Sequence, residues 1–279
     1  MKIPTPRSLY YGLGKANFIQ YIIFAVFLLF FYLPLANLMM LAFGNKYEMP
    51  AVVPQEFGFK WWQFVLEQNS LISAIITSFV LAVIVTLVSL LICVPAAYAL
   101  ARFDFPGKSI FQFSFLFSNA FPKMGLYIAI AIVYYKLNLM GTWLGVILLH
   151  VINTMMFMTW IPMGAFRSVH RQQEESARDV GAGPFLTFMK ITFPLALPGI
   201  TVASIFTFLA SIEEAQGTLM VGFPDIKTVP VELYGIIMQY PTTAGPVLSF
   251  ILLIPALLIL ILGRKYISVD SISKGYNMH

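Results

Sequence analysis

The 279-residue sequence has little charge and almost no cysteine. Only 10% of its residues are Asp, Glu, Lys or Arg, whereas 59% are hydrophobic. Soluble domains usually carry about 25% charged residues. This composition excludes a disordered chain, a collagen-like chain and an ordinary soluble enzyme. The single cysteine, Cys93, excludes a disulfide scaffold and a cysteine-based metal cluster.

The sequence also lacks an evident catalytic or metal-binding constellation. Its histidines, His150, His170 and His279, have no metal-ligand spacing, and His150 is interpreted as a hydrogen-bonding residue between packed helices. The tripeptide Gly-Lys-Ser at 107–109 matches only the end of a phosphate-binding loop, because Arg102 stands where that pattern requires glycine. We therefore expect no catalytic residue, no metal ion and no ATP site in this chain.

Long apolar runs dominate the sequence instead. A transmembrane helix needs about 20 predominantly apolar residues. The runs are too long and too uniformly apolar for transmembrane β-strands. We predict an all-α integral membrane protein with six transmembrane helices. The runs are Phe18–Phe43, Leu71–Ala101, Ile110–Tyr135, Trp143–Phe166, Leu197–Val221 and Ala244–Leu262.

The basic residues predict how the chain is oriented in the membrane. Lys and Arg collect in cytoplasmic loops, and an N-in, C-in arrangement places all but five of the 17 basic residues in inner segments. We therefore predict a cytoplasmic segment at 1–17, a transmembrane domain at 18–267 and a cytoplasmic tail at 268–279. The five exceptions are Lys46, Lys60, Lys123, Lys136 and Lys227.

The inner segment between the fourth and fifth runs, residues 167–196, differs from the other loops. Residues 172–180 contain no glycine or proline and favour a helix, and Gly181 then supplies a helix stop. We expect a second short helix that Pro194 and Pro198 close. A rigid element of this kind, with an apolar face, suits docking into a cleft of another protein. The apolar face comprises Phe185, Phe188, Met189 and Phe193.

The same segment resembles the coupling motif of binding-protein-dependent ABC importer permeases. That motif reads Glu-Ala-Ala, three residues and Gly, then nine residues and Ile-x-Leu-Pro. Residues 175–177 read Glu-Ser-Ala, Gly181 follows at the required distance, and Ile-Thr-Phe-Pro stands at 191–194. Ser176 replaces alanine and Phe193 replaces leucine. The resemblance implies contact with an ATPase at Glu174, Glu175, Ala177, Gly181, Ile191 and Pro194.

The resemblance extends over most of the chain, through 95–102, 139–145 and 228–232. It implies one permease half of an importer in the bacterial or archaeal cytoplasmic membrane. Its partners would be a homologous permease, two ATPase subunits that bind ATP and Mg, and an external solute-binding protein. It implies no cofactor in this chain and no nucleic-acid partner.

A few ionisable residues lie within the apolar runs, where a charged group must face protein or water and is a functional candidate. Glu213 and Glu214 lie in the fifth run, and Lys123 follows Pro122 in the third. We predict that Lys123 pairs with at least one of these carboxylates near the interface with the second permease. The alternative is that the carboxylates only support packing near the outer interface. Candidate polar lining residues, each also able to serve in helix packing, are Asn119, Asn153 and Gln216.

The substrate class stays open between polyamines and carbohydrates. Residues 174–182 and the acidic 212–214 segment resemble polyamine-type permeases, whereas 264–276 resembles carbohydrate permeases. Polyamine-like solutes are slightly favoured, with carbohydrates or polyols as the alternative. A stand-alone secondary transporter or channel is an alternative of another class. It would show inverted repeats, which are not evident, and it would leave the docking segment unexplained. A membrane enzyme is disfavoured because no catalytic constellation is evident.

Overall fold

The computed structural model of the chain describes residues 15–239 and 243–267. The predicted cytoplasmic tail, with His279, and most of the predicted N-terminal segment lie outside these residues. The helices are α1 (Lys15–Ala42), α2 (Lys60–Glu67), α3 (Asn69–Arg102), α4 (Lys108–Ala120), α5 (Lys123–Lys136), α6 (Trp143–Ser168), α7 (Arg171–Asp179), α8 (Pro184–Thr187), α9 (Phe193–Ile212), α10 (Gln216–Val221), α11 (Val229–Gln239) and α12 (Ala244–Ile267). Two short antiparallel strands, β1 (Gly44–Lys46) and β2 (Glu56–Phe57), accompany them.

The predicted all-α membrane architecture is confirmed. Within the described part of the chain, five helices are long and apolar enough to cross a membrane. Helices suit this environment because they satisfy every backbone polar group internally. The five stretches correspond to the first, second, fourth, fifth and sixth predicted spans. They are Ile19–Ala42, Asn69–Arg102, Trp143–Ser168, Pro184–Ile212 and Ala244–Ile261.

The third predicted span is not one continuous helix. It is divided into α4 and α5 at Phe121, which has an extended backbone with φ −92° and ψ 153°. Pro122 is the physical cause, because proline disfavours the helical conformation of the residue before it. The continuous span expected at 110–135 is therefore corrected to two helices of 13 and 14 residues.

The fifth span begins earlier and ends earlier than expected. A π-helical turn, Phe188–Thr192, joins α8 to α9, so one helical stretch runs from Pro184 to Ile212. The prediction that Pro194 and Pro198 close a separate short helix was wrong. Pro194 lies in the first turn of α9, where the missing N–H is tolerated. Pro198 lies inside that helix, which stops at Ile212, before α10.

The larger compact unit contains residues 66–239 and 251–267 of the described chain. Helices α3, α6 and α9 pack together at its centre. Gly199 permits close approach, because a Cβ atom there would collide with the side chain of Ala165. One core cluster, around Phe166 and Met158, joins these three helices, and a second, around Leu149 and Tyr127, joins α3, α5, α6 and α10.

The smaller compact unit contains the described residues up to Val65 and residues 243–250. Its two adjacent tryptophans are anchored to the backbone. Trp61 Nε1 donates to the carbonyl of Asn45 at 3.3 Å, and Trp62 Nε1 donates to that of Ala42 at 2.8 Å. These two hydrogen bonds anchor the segment that follows α1 to α2.

Candidate functional site

The coupling element, defined here as residues 171–192, starts with α7 and turns at Gly181. Gly181 has φ +92°, a left-handed conformation that favours glycine. Its N–H donates to the carbonyl of Arg178 at 2.9 Å, and the N–H of Ala182 donates to that of Ala177 at 3.0 Å. This pair of bonds is the Schellman arrangement that terminates helices. The predicted helix and glycine turn are confirmed.

Glu174 points into the protein. Its side chain is 8% exposed, and Glu174 Oε1 lies 2.8 Å from Nη2 of Arg102. Thr192 Oγ1 donates to the same oxygen at 2.7 Å, and Arg102 Nη2 also donates to the carbonyl of Val169 at 2.8 Å. These contacts tie the end of α3, the start of the coupling element and its π-helical turn together. This buried ion pair fixes the orientation of the element.

The apolar face expected on the coupling element is divided in two. Phe188 packs inward, with its ring centroid 4.8 Å from that of Tyr98, and it also contacts Phe193. Other apolar side chains face outward; Val180 is 86% exposed and Phe185 is 73% exposed. The outward surface, called the docking face below, comprises Val180, Phe185, Leu186 and Met189.

The remaining coupling residues expected from the motif lie at different depths. Glu175, Gly181 and Pro194 are exposed, whereas Ala177 and Ile191 are half-buried. The element therefore presents an apolar surface together with the exposed carboxylates of Glu175 and Asp179. This arrangement is suited to contact with another protein and offers no chemistry of its own.

A second site, called the polar cluster below, lies where two spans are interrupted. Glu214 follows the end of α9, and its side chain is 4% exposed. Tyr127 Oη and Asn153 Nδ2 donate to Glu214 Oε2 at 2.7 and 2.9 Å, and the backbone N–H of Gly217 donates to Oε1 at 2.8 Å. Lys123 Nζ lies 3.6 Å from Oε2. The predicted pairing of Lys123 with a carboxylate of the fifth span is confirmed for Glu214.

His150 spans the interruption between α9 and α10. Its Nδ1 lies 2.9 Å from Ser211 Oγ, before the interruption, and its Nε2 lies 2.8 Å from Thr218 Oγ1, after it. All three side chains are buried. The interpretation of His150 as a hydrogen-bonding residue between helices is confirmed. Its two hydrogen bonds connect the residues on either side of the interruption.

The other predicted pathway residues are exposed, unlike the buried Glu214. Glu213 and Gln216 are exposed at the two ends of the interruption in the fifth span. Asn119 is exposed near the end of α4, close to the interruption in the third span. Asn153, in contrast, lies within the cluster and is buried. The described residues contain no group of three or more His, Cys, Asp or Glu that could hold a metal ion.

The chain belongs to the family of inner membrane components of binding-protein-dependent transport systems. The family model matches residues 92–269, which include the coupling element and the polar cluster. It is therefore a multi-pass membrane subunit of an ABC importer, a transport component rather than a catalytic one.

Curated relatives have names from both candidate substrate classes. A putative ABC transporter permease of Streptomyces antibioticus is 29% identical over 72% of this chain and 89% of its own. The trehalose transport permease SugB of Mycobacterium tuberculosis is 28% identical over 57% of this chain and 58% of its own. The spermidine/putrescine permease PotC of Escherichia coli is 24% identical over 79% and 83%.

A solved structure has the same fold. It is a chain of a bacterial ABC transporter that imports the acidic polysaccharide alginate, with a TM-score of 0.71. The match covers 96% of this chain and 100% of that one at 17% identity. At this identity the likeness establishes the fold and leaves the substrate open.

Proposed function

We propose that this chain forms half of the translocation pathway of an ATP-driven importer for a small polar organic solute. A homologous second permease supplies the other half, two ATPase subunits bind ATP and Mg, and an external binding protein delivers the solute. The observation that carries the proposal is the coupling element, a rigid segment with an outward apolar face directly continuous with a membrane span.

The docking face provides the contact with the ATPase. Burying one large apolar side chain contributes about 1.5–3 kcal/mol, so Phe185 and its neighbours supply a substantial part of an interface. Glu175 is exposed beside this face. Glu174 and Ile191 point inward and stabilise the conformation of the coupling element. Gly181 allows the turn that exposes the face.

The helical stretch from Pro184 to Ile212 transmits the movement. Because α8, the π-helical turn and α9 are continuous, displacement of the docking face moves the end of α9. That end lies beside the polar cluster. Motion of the ATPase thus reaches the interruption in the fifth span without passing through a flexible loop.

The solute passes near the interrupted spans, where Lys123, Asn119, Glu213 and Gln216 provide exposed polar groups. Interrupted helices at membrane depth are tolerated where they face protein or a water-filled cavity. The buried Glu214 stabilises this region by accepting hydrogen bonds from Tyr127 and Asn153.

A carbohydrate or polyol is the solute class that the cluster supports better. The acidic 212–214 segment favoured polyamines, but Glu214 already accepts three hydrogen bonds and faces Lys123. A carboxylate accepts about four hydrogen bonds, so little capacity is left for a polyamine ammonium. Exposed Glu213 keeps polyamines as the second candidate.

Reconstitution tests the proposal. The chain would be placed in liposomes with its second permease, its ATPases and the cognate binding protein. We expect uptake that requires ATP and the binding protein, with sugars or polyols preferred over spermidine. Uptake by the purified chain alone, without ATP, would contradict the importer assignment.

One pair of variants tests the docking face within the same preparation. Phe185→Asp places a charge in the expected interface and should prevent association with the ATPase. Phe223→Asp is the matched control, since Phe223 is also exposed and lies outside the coupling element. Equal ATPase association in the two variants would exclude the docking face as the contact.

A further inference from the structure

Thr192 carries a buried hydroxyl group at the point where the coupling element meets α9. Its Oγ1 donates to Glu174 Oε1 at 2.7 Å, although the two residues are 18 positions apart in the sequence. Two other threonines of the same helical stretch use their hydroxyls locally. Thr187 and Thr201 each donate to the carbonyl four residues back, at 3.1 and 2.9 Å. The hydroxyl of Thr192, in contrast, links the base of α9 to α7.

The backbone around Thr192 forms the π-helical turn. The N–H of Phe193 donates to the carbonyl of Phe188, five residues back. Turns of this kind are frequent at functional sites. The next residue, Pro194, has no N–H to donate to the carbonyl of Lys190, as an α-helical turn would require. The helix therefore widens at a place where the proline has already removed one backbone hydrogen bond.

The chain between α7 and α8 restrains the angle between these helices only weakly. Among the described residues, no atom lies within 4 Å of a Cβ atom built on Gly181 or on Gly183. Neither glycine contributes side-chain packing, so contacts between helices must hold α7 in place. Glu174 provides them, since it binds Arg102 of α3 and accepts the hydroxyl of Thr192.

We propose that Thr192 is a positioning residue for coupling, an inference that rests on the proposed function. Through Glu174, its hydroxyl makes α7 and the base of α9 move as one body when the ATPase displaces the coupling element. The hydrogen bond is buried and its acceptor is charged, and such bonds are roughly twice as strong as neutral ones. Without it, α7 would move about the glycine segment while α9 stayed in place. ATP hydrolysis would then continue without transport.

Thr192→Val tests this role, because valine removes the hydroxyl and keeps the branched shape. Liposomes with the complete complex would be loaded through the cognate binding protein, and uptake of the solute it retains would be compared with ATP hydrolysis. We expect the subunits to assemble and to hydrolyse ATP. The solute imported per ATP should fall roughly tenfold, the factor expected for loss of one hydrogen bond to a charged group. A merely structural role would lower thermal stability and uptake together and leave this ratio unchanged.

Two further variants control this experiment. Thr192→Ser keeps a hydroxyl at the same position and should restore most of the solute imported per ATP. Thr201→Val is the matched control, because it removes a hydroxyl of α9 that bonds only within its own helix. It should couple like the native chain. If Thr192→Val does not assemble, Thr192→Cys takes its place, since a thiol is a weak donor and should give an intermediate ratio.

A distance measurement tests the same contact without transport. Spin labels would be attached at Gln173 in α7 and Leu195 in α9, both exposed, after Cys93→Ser removes the native thiol. In the assembled complex we expect a narrow distribution of distances that ATP leaves unchanged. Adding Thr192→Val should broaden it.

Three outcomes would overturn the proposal. These are a native ratio of uptake to hydrolysis in Thr192→Val, no recovery in Thr192→Ser, and equally narrow distance distributions with and without the hydroxyl. Absence of ATP-dependent uptake in the native complex would instead contradict the proposed function. The distances measured without ATP would then still test the contact of Thr192 with Glu174.

Discussion

Two buried glutamates distinguish the coupling element from the polar cluster. Glu174 pairs with Arg102 at 2.8 Å, and both side chains are 8% exposed. Glu214 is as well buried, but its partner Lys123 is 48% exposed and 3.6 Å away. Neutral donors, rather than a second buried charge, therefore hold Glu214 in place. The comparison teaches that the first ion pair is buried on both sides, whereas the second keeps its cation partly exposed.

The largest expected effect comes from removing one partner of the fixed pair. Arg102→Gln leaves Glu174 as an uncompensated buried charge, which should cost about 3–5 kcal/mol of folding free energy. Thermal unfolding of the purified complex measures this loss. The matched control is Arg167→Gln, because Arg167 is exposed on the same side. A change below about 1 kcal/mol would mean that Glu174 is held without Arg102.

A paired substitution sharpens this result. Replacing both charges, as Arg102→Met with Glu174→Met, removes the unpaired charge and should recover part of the lost stability. If the double variant is as unstable as Arg102→Gln, the hydrogen bonds that the pair makes with Val169 and Thr192 contribute to stability beyond charge neutralisation.

Glu214→Ala should have the next largest effect. It leaves the buried donors of Tyr127 and Asn153 unsatisfied, which we expect to cost about 2–4 kcal/mol. Unfolding measurements on this variant would be compared with Glu213→Ala, whose side chain is exposed. Similar losses of unfolding free energy in the two variants would show that the buried hydrogen bonds of Glu214 do not account for the effect.

Gly181→Val should affect coupling more than folding. A β-branched residue is strained in the left-handed conformation by about 1–2 kcal/mol, which should displace the docking face. We expect impaired transport or loss of the ATPase subunits, with the spans still folded. Gly183→Val is the matched control, because Gly183 has an ordinary φ of −66° and open space around it. Native transport and ATPase stimulation in Gly181→Val would contradict the role given to the turn.

Lys123→Gln should have the smallest effect on stability. Lys123 is 48% exposed, and three neutral donors still hold Glu214 when the lysine is lost, so unfolding should change less than in Glu214→Ala while solute uptake falls. Lys136→Gln, at the other end of α5, serves as the control. Unchanged uptake in Lys123→Gln would remove Lys123 from the pathway and make the polar cluster purely structural.

Local sequence signals predicted the helix and turn of the coupling element well. The run without glycine or proline before Gly181 gave α7, and the glycine gave the turn. The interruption at Phe121 also had a local signal in Pro122, but the apolar character on both sides concealed it. At the second interruption the Glu214 side chain accepts the N–H of Gly217, three residues further on, at the start of α10. The burial of that carboxylate depends on donors from distant helices, Tyr127 and Asn153.

The sequence by itself determined the membrane class, five of the spans and the family, because hydropathy and a spaced motif are local properties of a chain. It also indicated that Lys123 needed a carboxylate partner, since a charge at membrane depth is costly. Only the tertiary structure decided that this partner is Glu214 rather than Glu213. It also decided that Glu174 turns inward to Arg102, 72 residues away. Such pairings depend on which faces of distant helices meet, and no local pattern in the sequence specifies that.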